Sequence, residues 1–166
     1  MTTTEIDIDA PPALTHAVLV DADTYPQWLV GAKRIRRVEP GWPAEGSGFL
    51  HAVGFGPVTV KDRTSVLRHP DDSELELEAS IGVAGSARGR FRITALGGGT
   101  RSPLRVDEEP ASGPMRALWS TPARPLVWLG FWGRNAVSLQ SLRALIEERR
   151  QAGDDRPPDR AAGDGG

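Results

Sequence analysis

Apolar and polar residues alternate along much of the chain with a period of two, the pattern of strands that are buried on one side. In residues 3–9 the isoleucines fall on one side and the acidic residues on the other. The same alternation recurs over residues 33–39, 49–55, 58–66, 74–81, 87–95 and 100–109. The pattern therefore predicts seven strands, the last six of which follow one another without a helix between them.

Residues 49–66 predict the best-defined hairpin. Its turn is Gly56-Pro57, and glycine in the first position suits type II′ geometry, which needs a positive φ only there. An imidazole and a carboxylate then face each other on the apolar side of the sheet. The full register pairs Phe55 with Val58, Val53 with Val60, and His51 with Asp62.

The strands over 74–81 and 87–95 carry opposite charges on their outer side. These faces match only if even-numbered residues pair with even-numbered ones, so we predict a loop with an odd number of residues between them. Each exposed pair is weak, roughly 0.2–1 kcal/mol, so the charges set the register and do not form a functional site. The two rows are Glu74, Glu76 and Glu78 on one strand and Arg88, Arg90 and Arg92 on the other.

Proline and turn-forming residues indicate where the other predicted elements begin and end. Two short helices are predicted over 13–20 and 22–28, between the first and second strands. Pro103 predicts a bulge or a break in the last strand, because proline removes a donor from the hydrogen-bond ladder. Residues 69–73 are predicted as a turn, and residues 110–125 as irregular chain.

The longest predicted element is a helix over residues 122–150. Its apolar residues recur at steps of three, four or seven, which places them in one stripe. Asn135 is the only strongly polar residue of this stripe. We interpret the part after Asn135 as ordinary core and the part before it as the lid of a cavity. The stripe consists of Trp128, Trp132, Leu139, Leu142 and Ile146.

Composition narrows the class of protein. The 166 residues suit a single domain over 1–151, followed by a polar, glycine-rich tail over 152–166 that we expect to be disordered. A formal net charge of −2 argues against nucleic acid as a partner, and the basic residues within 33–37 suit a solvated strand face. The sequence has no cysteine, which excludes disulfides and thiolate chemistry. The first residues lack the pattern of a signal peptide, so we expect a cytoplasmic protein.

Motif searches give no metal, nucleotide or hydrolase site. His16, His51 and His69 fall on three different elements and form no recognisable metal triad. Gly54-Phe-Gly56 lacks the third glycine of a dinucleotide loop, and the sequence contains no Gly-x-Ser-x-Gly motif. We therefore expect neither a metal nor a cofactor.

Three stretches resemble the START-like or SRPBCC superfamily, closest to its polyketide cyclase/dehydrase-like branch. They are Ile8-Asp-Ala-Pro-Pro-Ala-Leu, Val20-Asp-Ala-Asp-Thr-Tyr-Pro-Gln-Trp-Leu and Arg134-Asn-Ala-Val-Ser-Leu-Gln-Ser-Leu-Arg143. The resemblance covers residues 4–150 and implies an α+β helix-grip fold. In this fold a curved seven-stranded antiparallel sheet wraps around a long C-terminal helix, two short helices lie between strands 1 and 2, and a ligand cavity separates sheet and helix. Members of the superfamily include aromatase/cyclases, plant hormone receptors and lipid carriers.

Candidate site residues follow from this arrangement. His51 and Asp62 are candidates for proton transfer, since a carboxylate facing an imidazole favours the charged ring, although the pair could simply fix the hairpin register. Asn135 could hydrogen-bond a ligand oxygen or anchor the helix to a strand. We expect ligand contacts from the inner faces of the sheet and helices: Tyr25, Trp28, Phe49, Val53, Val60, Thr64, Leu77, Phe91, Leu104, Trp128, Trp132 and Asn135.

Two functions from different classes remain open. The first is a carrier or binding protein for a small hydrophobic or aromatic molecule. The second is a polyketide cyclase or dehydratase, in which the cavity folds a poly-carbonyl chain while His51 and Asp62 move protons. The aromatic residues over 119–132 could form a gate, a protein interface or, less favoured because few basic residues lie nearby, a membrane contact. The sequence leaves the ligand and the oligomeric state open.

Overall fold

The computed structural model describes residues 1–55, 58–80, 83 and 85–153, without the side chains of residues 55 and 58–60. Its strands are β1 (Thr2–Ile6), β2 (Ala32–Val38), β3 (Gly48–Phe55), β4 (Val58–Asp71), β5 (Glu74–Ser80), β6 (Ser86–Ile93) and β7 (Leu104–Ser112). Within the described residues they form one antiparallel seven-stranded sheet in the order β1-β7-β6-β5-β4-β3-β2. Strands β2 to β7 are thus a continuous meander, and β1 extends it by pairing with β7.

Helices cover one face of this sheet. Leu139, Leu142 and Ile146 share a buried core with residues of β5 and β7, so the last helix lies against the inner face of the sheet. The predicted helix-grip fold is confirmed. No helix in the described part of the chain is long and apolar enough to cross a membrane. The α-helices are α1 (Pro12–Val20), α2 (Tyr25–Trp28), α3 (Gly113–Trp119) and α4 (Arg124–Gln151).

The predicted strand registers are confirmed. His51 pairs with Asp62 across β3 and β4, as do Phe55 with Val58 and Val53 with Val60. The turn residues 56 and 57 lie outside the described residues. Strands β5 and β6 pair Ser80 with Ser86, so the loop between them has the odd number of residues that the charge pattern requires.

The outer face of the sheet carries the predicted rows of opposite charge. Arg90 donates to Oε2 of Glu76 through Nε at 3.0 Å and Nη2 at 2.7 Å. The row continues onto β7, where Asp107 accepts from Arg92 at 2.7 Å and its side chain is only 3% exposed. The ion pair of Asp107 with Arg92 is therefore better shielded from solvent than an ion pair between two fully exposed side chains.

The basic residues within 33–37 lie on β2, which is an edge strand of the sheet. Their side chains are exposed while Ile35 between them is half-buried, which confirms the solvated strand face. Repeated positive charge along an edge strand opposes pairing with the edge of another molecule.

The buried face of α4 differs from the predicted stripe in its first half. Trp128 and Trp132 are 39% and 42% exposed, and they stack on each other with ring centroids 6.1 Å apart. Phe131 is buried instead, with its ring edge-on to Trp119 of α3. The first half of α4 packs against α3, a short helix that has no buried residue and therefore shields little of α4. The second half of α4 packs against the core of the protein, where its apolar residues are buried. The periodicity of the sequence predicted which face of α4 is apolar, but not how far along the helix other elements bury that face.

Two local predictions are wrong, and a third is confirmed in one of its two alternatives. Residues 110–125 are not irregular throughout, because β7 continues to Ser112 and α3 follows it directly. Pro103 marks the predicted break and not a bulge, because an isolated bridge joins Arg101 to Leu96 and β7 begins only at Leu104. Residues 69–73 are not all turn, since β4 extends to Asp71 and tolerates its proline at an irregularity in the pairing with β5.

Candidate functional site

A cavity lies between α2, the middle of α4 and the inner face of strands β4 to β7. The free space in and around this cavity amounts to about 570 Å³, part of which is open solvent and not enclosed volume. Most of its wall is apolar or aromatic, which is the usual lining of a small-molecule site. The apolar wall residues are Tyr25, Trp28, Leu29, Leu77, Phe91, Val106 and Leu139.

Small residues on two neighbouring strands create this space. Ala79 of β5 is paired with Ala87 of β6, and Leu77 is paired with Gly89. All four line the cavity. A Cβ atom built on Gly89 would be 3.7 Å from the Phe91 ring, an ordinary contact, so the site has room for a larger side chain. The cavity therefore exists because neighbouring positions on the inner face of the sheet carry small side chains.

The two aromatic residues of α2 present rings, not polar groups, to the cavity. The Tyr25 hydroxyl donates to the carbonyl of Leu19 at 2.9 Å, and Trp28 Nε1 donates to the hydroxyl of Thr24 at 3.1 Å. Burial, with a smaller contribution from Asp21, raises the pKa of Tyr25 far above its ordinary value. Tyr25 thus has neither a free hydroxyl nor the acidity to exchange a proton with a ligand.

The polar end of the cavity is formed by Glu108 of β7 with Arg134 and Asn135 of α4. Arg134 Nη2 donates to Glu108 Oε1 at 2.5 Å and to Asn135 Oδ1 at 3.3 Å. The Glu108 side chain is 8% exposed and that of Arg134 30%. Because arginine can only donate, the Asn135 oxygen must face it, and the amide nitrogen points elsewhere. The positive charge of Arg134 and the negative charge of Glu108 neutralise each other at this end of the cavity.

Several polar atoms at this end have no partner. Glu108 Oε2, Arg134 Nε and Asn135 Nδ2 are buried and make no hydrogen bond within the described residues. Buried polar atoms are almost always satisfied, and each one left without a partner costs about 1–3 kcal/mol. Because their three residues line the cavity, one acceptor and two donors lie unpaired close to it.

His51 and Asp62 are both buried on the inner side of the β3–β4 hairpin, as the alternation predicted. They do not line the cavity. The Nε2 atom of His51 lies 3.1 Å from the hydroxyl of Thr64, which does line it. Burial lowers the pKa of His51 below its ordinary value and outweighs the opposing effect of Asp62. Asp62 does favour the charged ring, as expected, but desolvation is the larger effect, so the net pKa of His51 is lowered.

The remaining predicted ligand contacts divide into two groups. Thr64, Leu77, Phe91 and Asn135 line the cavity together with Tyr25 and Trp28. Phe49 and Leu104 are fully buried core residues elsewhere, and Val53 is half-buried outside the cavity lining. Trp128 and Trp132 also lie outside it. The side chain of Val60 lies outside the described residues.

Sequence reasoning missed Glu108 and Arg134. The signal for Glu108 was present, because it continues the inward series of Leu104 and Val106 at steps of two and places a charge on the inner face. A charge there needs a partner. Arg134 is next to Asn135 at the margin of the helical stripe, where a long side chain can reach into the cavity from the side.

A second polar cluster lies outside the cavity lining. His16 and His69 meet with their Nε2 atoms 2.9 Å apart, and Asp72 is beside them. His16 is half-buried. His16 and His69 lie on different elements, as the sequence indicated, but the fold brings the end of β4 against α1 and joins this pair.

The chain is similar to a known protein family and to many known structures. A family model described as "Polyketide cyclase / dehydrase and lipid transport" matches residues 2–147. No curated protein sequence matches the chain at a significant level. The described architecture is nevertheless shared with many solved structures.

Three solved structures illustrate the similarity. The Zhui aromatase/cyclase from Streptomyces sp. R1128 is 15% identical, with 92% of this chain and 96% of that chain covered and a TM-score of 0.67. Ara h 8.0201 is 13% identical, with 88% and 96% covered and a TM-score of 0.65. The di-domain aromatase/cyclase StfQ of the steffimycin biosynthetic pathway is 15% identical, with 90% and 52% covered and a TM-score of 0.62.

Identities this low establish a common fold only. The family match covers nearly the whole described chain, and the helix-grip architecture agrees with it. The chain belongs to the polyketide cyclase / dehydrase and lipid transport family.

Proposed function

We propose that this protein binds one small hydrophobic or aromatic molecule in the cavity beneath α4, as a carrier or binding protein. The observation that carries the proposal is the contrast within the cavity: apolar walls from Trp28, Leu77 and Phe91, and a single polar end at Glu108, Arg134 and Asn135. Apolar walls supply affinity by burying ligand surface, and a few polar groups fix its orientation. Membership of a family that includes lipid transport supports the same function.

The polar end favours a neutral ligand that carries both a donor and an acceptor. Glu108 and Arg134 already neutralise each other at 2.5 Å, so an added charge would find no counter-ion. A ligand hydroxyl could donate to Glu108 Oε2, while a ligand carbonyl could accept from Asn135 Nδ2. Hydroxylated aromatic ketones have these groups on an apolar frame.

A cavity-filling variant tests binding directly. Gly89→Val adds an apolar side chain to the cavity wall, and its Cβ has room beside Phe91. We expect Gly89→Val to weaken binding of 2-naphthol at least tenfold by isothermal titration calorimetry while the protein stays folded. Gly130→Val is the matched control, because Gly130 lies outside the cavity lining with open space around it. Equal affinity of both variants and the wild type would show that the cavity is not the binding site.

The polar end has its own readout in the same assay. Naphthalene lacks the hydroxyl group of 2-naphthol, so its affinity measures the apolar wall alone. We expect 2-naphthol to bind about tenfold more tightly than naphthalene, as one hydrogen bond to a charged group allows. Glu108→Leu should remove that preference while naphthalene still binds. Native mass spectrometry of the protein purified from its own host would then reveal the class of a co-purifying ligand.

A polyketide cyclase or dehydratase is the second candidate. The structural similarity to two aromatase/cyclases favours it, and a carboxylate with a spare oxygen lies in the cavity at Glu108. The His51 imidazole, neutral at physiological pH, could pass protons toward the cavity through the hydroxyl of Thr64.

Variants of the hairpin pair separate the two functions. If the protein only binds, His51→Ala and Asp62→Asn should keep ligand affinity within a few-fold. An enzyme that uses them should lose about 10²-fold or more in turnover of a poly-carbonyl substrate. Unchanged turnover in both variants would exclude the pair from catalysis.

A further inference from the structure

A cluster of two histidines and an aspartate lies at the junction of three segments, outside the cavity lining. His16 belongs to α1, His69 to β4, and Asp72 to the turn after β4. The two Nε2 atoms are 2.9 Å apart, the rings are stacked with centroids 5.2 Å apart, and His16 Nε2 is 3.6 Å from Asp72 Oδ1. One ligand atom from each residue lies within 4.8 Å of the others.

The tautomer of His69 is fixed by its surroundings. Its Nδ1 lies 3.1 Å from the carbonyl of Pro43, and a carbonyl can only accept, so Nδ1 carries the proton. The Nε2 atom of His69 therefore presents a lone pair to His16. A backbone carbonyl that holds the outer nitrogen of a histidine is the usual support of a metal-binding imidazole. The carboxylate of Glu45 also accepts from the backbone nitrogen of His69, which fixes that end of β4.

We propose that His16, His69 and Asp72 form a binding site for a divalent transition metal ion such as Zn²⁺. Two imidazole nitrogens and a carboxylate are ligands that such ions prefer, and a solvent molecule can supply the fourth position. Tetrahedral coordination at Zn–N distances of about 2.0–2.1 Å places two nitrogens about 3.3 Å apart. The two Nε2 atoms, 2.9 Å apart, are therefore within a few tenths of an ångström of the separation that an ion requires.

Burial and charge both suit a cation here. His16 is half-buried, so a bound ion would be partly shielded from solvent. The Asp72 side chain is 83% exposed and free to rotate toward the ion. Asp71, which also faces His16, adds a second negative charge that attracts a cation.

The bound ion would connect α1 to the end of β4. Because the three ligands come from separate segments, binding should stabilise the folded state and not the unfolded chain. With free Zn²⁺ at about 100 times its Kd, the melting temperature should rise by about 5–10 °C for a domain of this size.

The test uses tag-free, chelator-treated full-length protein. We expect one Zn²⁺ to bind per chain in isothermal titration calorimetry, and Co²⁺ to develop visible d–d absorption on binding. His16→Gln, His69→Gln and the exposed variant Asp72→Asn should each weaken binding at least tenfold. His51→Gln is the control, since it removes a histidine outside the cluster and should leave metal affinity unchanged.

The outcomes are decisive in either direction. Equal Zn²⁺ affinity of the wild type and the three ligand variants would overturn the proposal, as would an absence of saturation at millimolar metal. The cluster would then be a histidine–histidine hydrogen bond that only joins α1 to β4. Asp72→Asn keeps the test valid if the histidine variants fail to fold, because its side chain contributes little to the core.

Discussion

The ion pair between Glu108 and Arg134 should show an asymmetric response to mutation. The two side chains are joined at 2.5 Å, but Glu108 is 8% exposed and Arg134 30%. Arg134→Met leaves a carboxylate buried in the cavity without its counter-charge. Glu108→Leu leaves a guanidinium that can turn its head toward solvent, because its side chain is long and already partly exposed. The loss of arginine should therefore destabilise the protein more than the loss of glutamate.

The expected loss in the free energy of unfolding depends on how deeply the remaining charged side chain is buried in each single variant. Breaking a buried pair from one side costs about 3–5 kcal/mol, and the open mouth of the cavity places Arg134→Met near 3 kcal/mol. That loss corresponds to a fall in melting temperature of about 6–12 °C. Glu108→Leu should cost about 1 kcal/mol. The double variant should lie within about 1 kcal/mol of the wild type, because it removes both desolvated charges.

Urea denaturation of the four proteins at pH 7 measures this cycle. The free energies of unfolding give a coupling energy of about 3–5 kcal/mol if the pair is a buried charge pair. Equal losses for the two single variants would refute the argument from exposure. A double variant less stable than either single variant would refute the assignment of the cost to an unpaired charge.

Two further predictions concern stability. The pKa of His51 lies below its ordinary value of 6.5 in the folded state, so the unfolded chain binds the proton first and wild-type stability falls as the pH drops below about 6.5. In His51→Gln the loss of stability at low pH that His51 causes should be absent. If the melting temperatures of both proteins fall in parallel from pH 7.5 to 5, the lowered pKa of His51 is contradicted. Gly85 has a φ of +113°, and a Cβ on it would lie 2.1 Å from the carbonyl oxygen of Ser112, so Gly85→Ala should cost more than about 3 kcal/mol. Gly98→Ala is the control, with a φ of +68° and open space, and should cost only about 1–2 kcal/mol by thermal unfolding.

The sheet was predictable because its signals are local and mutually consistent. The alternation of the β3–β4 hairpin and the charge rows of β5 and β6 each allow a single register, and a slip by one residue would expose the buried side. The two short helices and the order of strands followed from the same reading and from the resemblance of three stretches to a known superfamily.

The candidate site was less predictable because it depends on contacts between distant segments. Glu108 could be placed on the inner face, but its partner Arg134 comes from a helix that crosses the sheet at an angle no periodicity reveals. The exposure of Trp128 and Trp132 depends on where α3 ends, and the meeting of His16 with His69 depends on how α1 docks. The space beside Gly89 and Ala79 was visible only once the two strands were paired.

The pairing of β1 with β7 bears on how the molecule folds. Each step of the β2–β7 meander closes a short loop, whereas Thr2 must find Glu108 across most of the chain. Loop-closure entropy amounts to about 4 kcal/mol for a loop of ~100 residues and about 1.5 kcal/mol for a tight hairpin. The N-terminal strand should therefore join last, onto an edge that the other six strands have already formed. Until it arrives, the β7 edge is open to a second nascent chain, so refolding yield should decline with protein concentration.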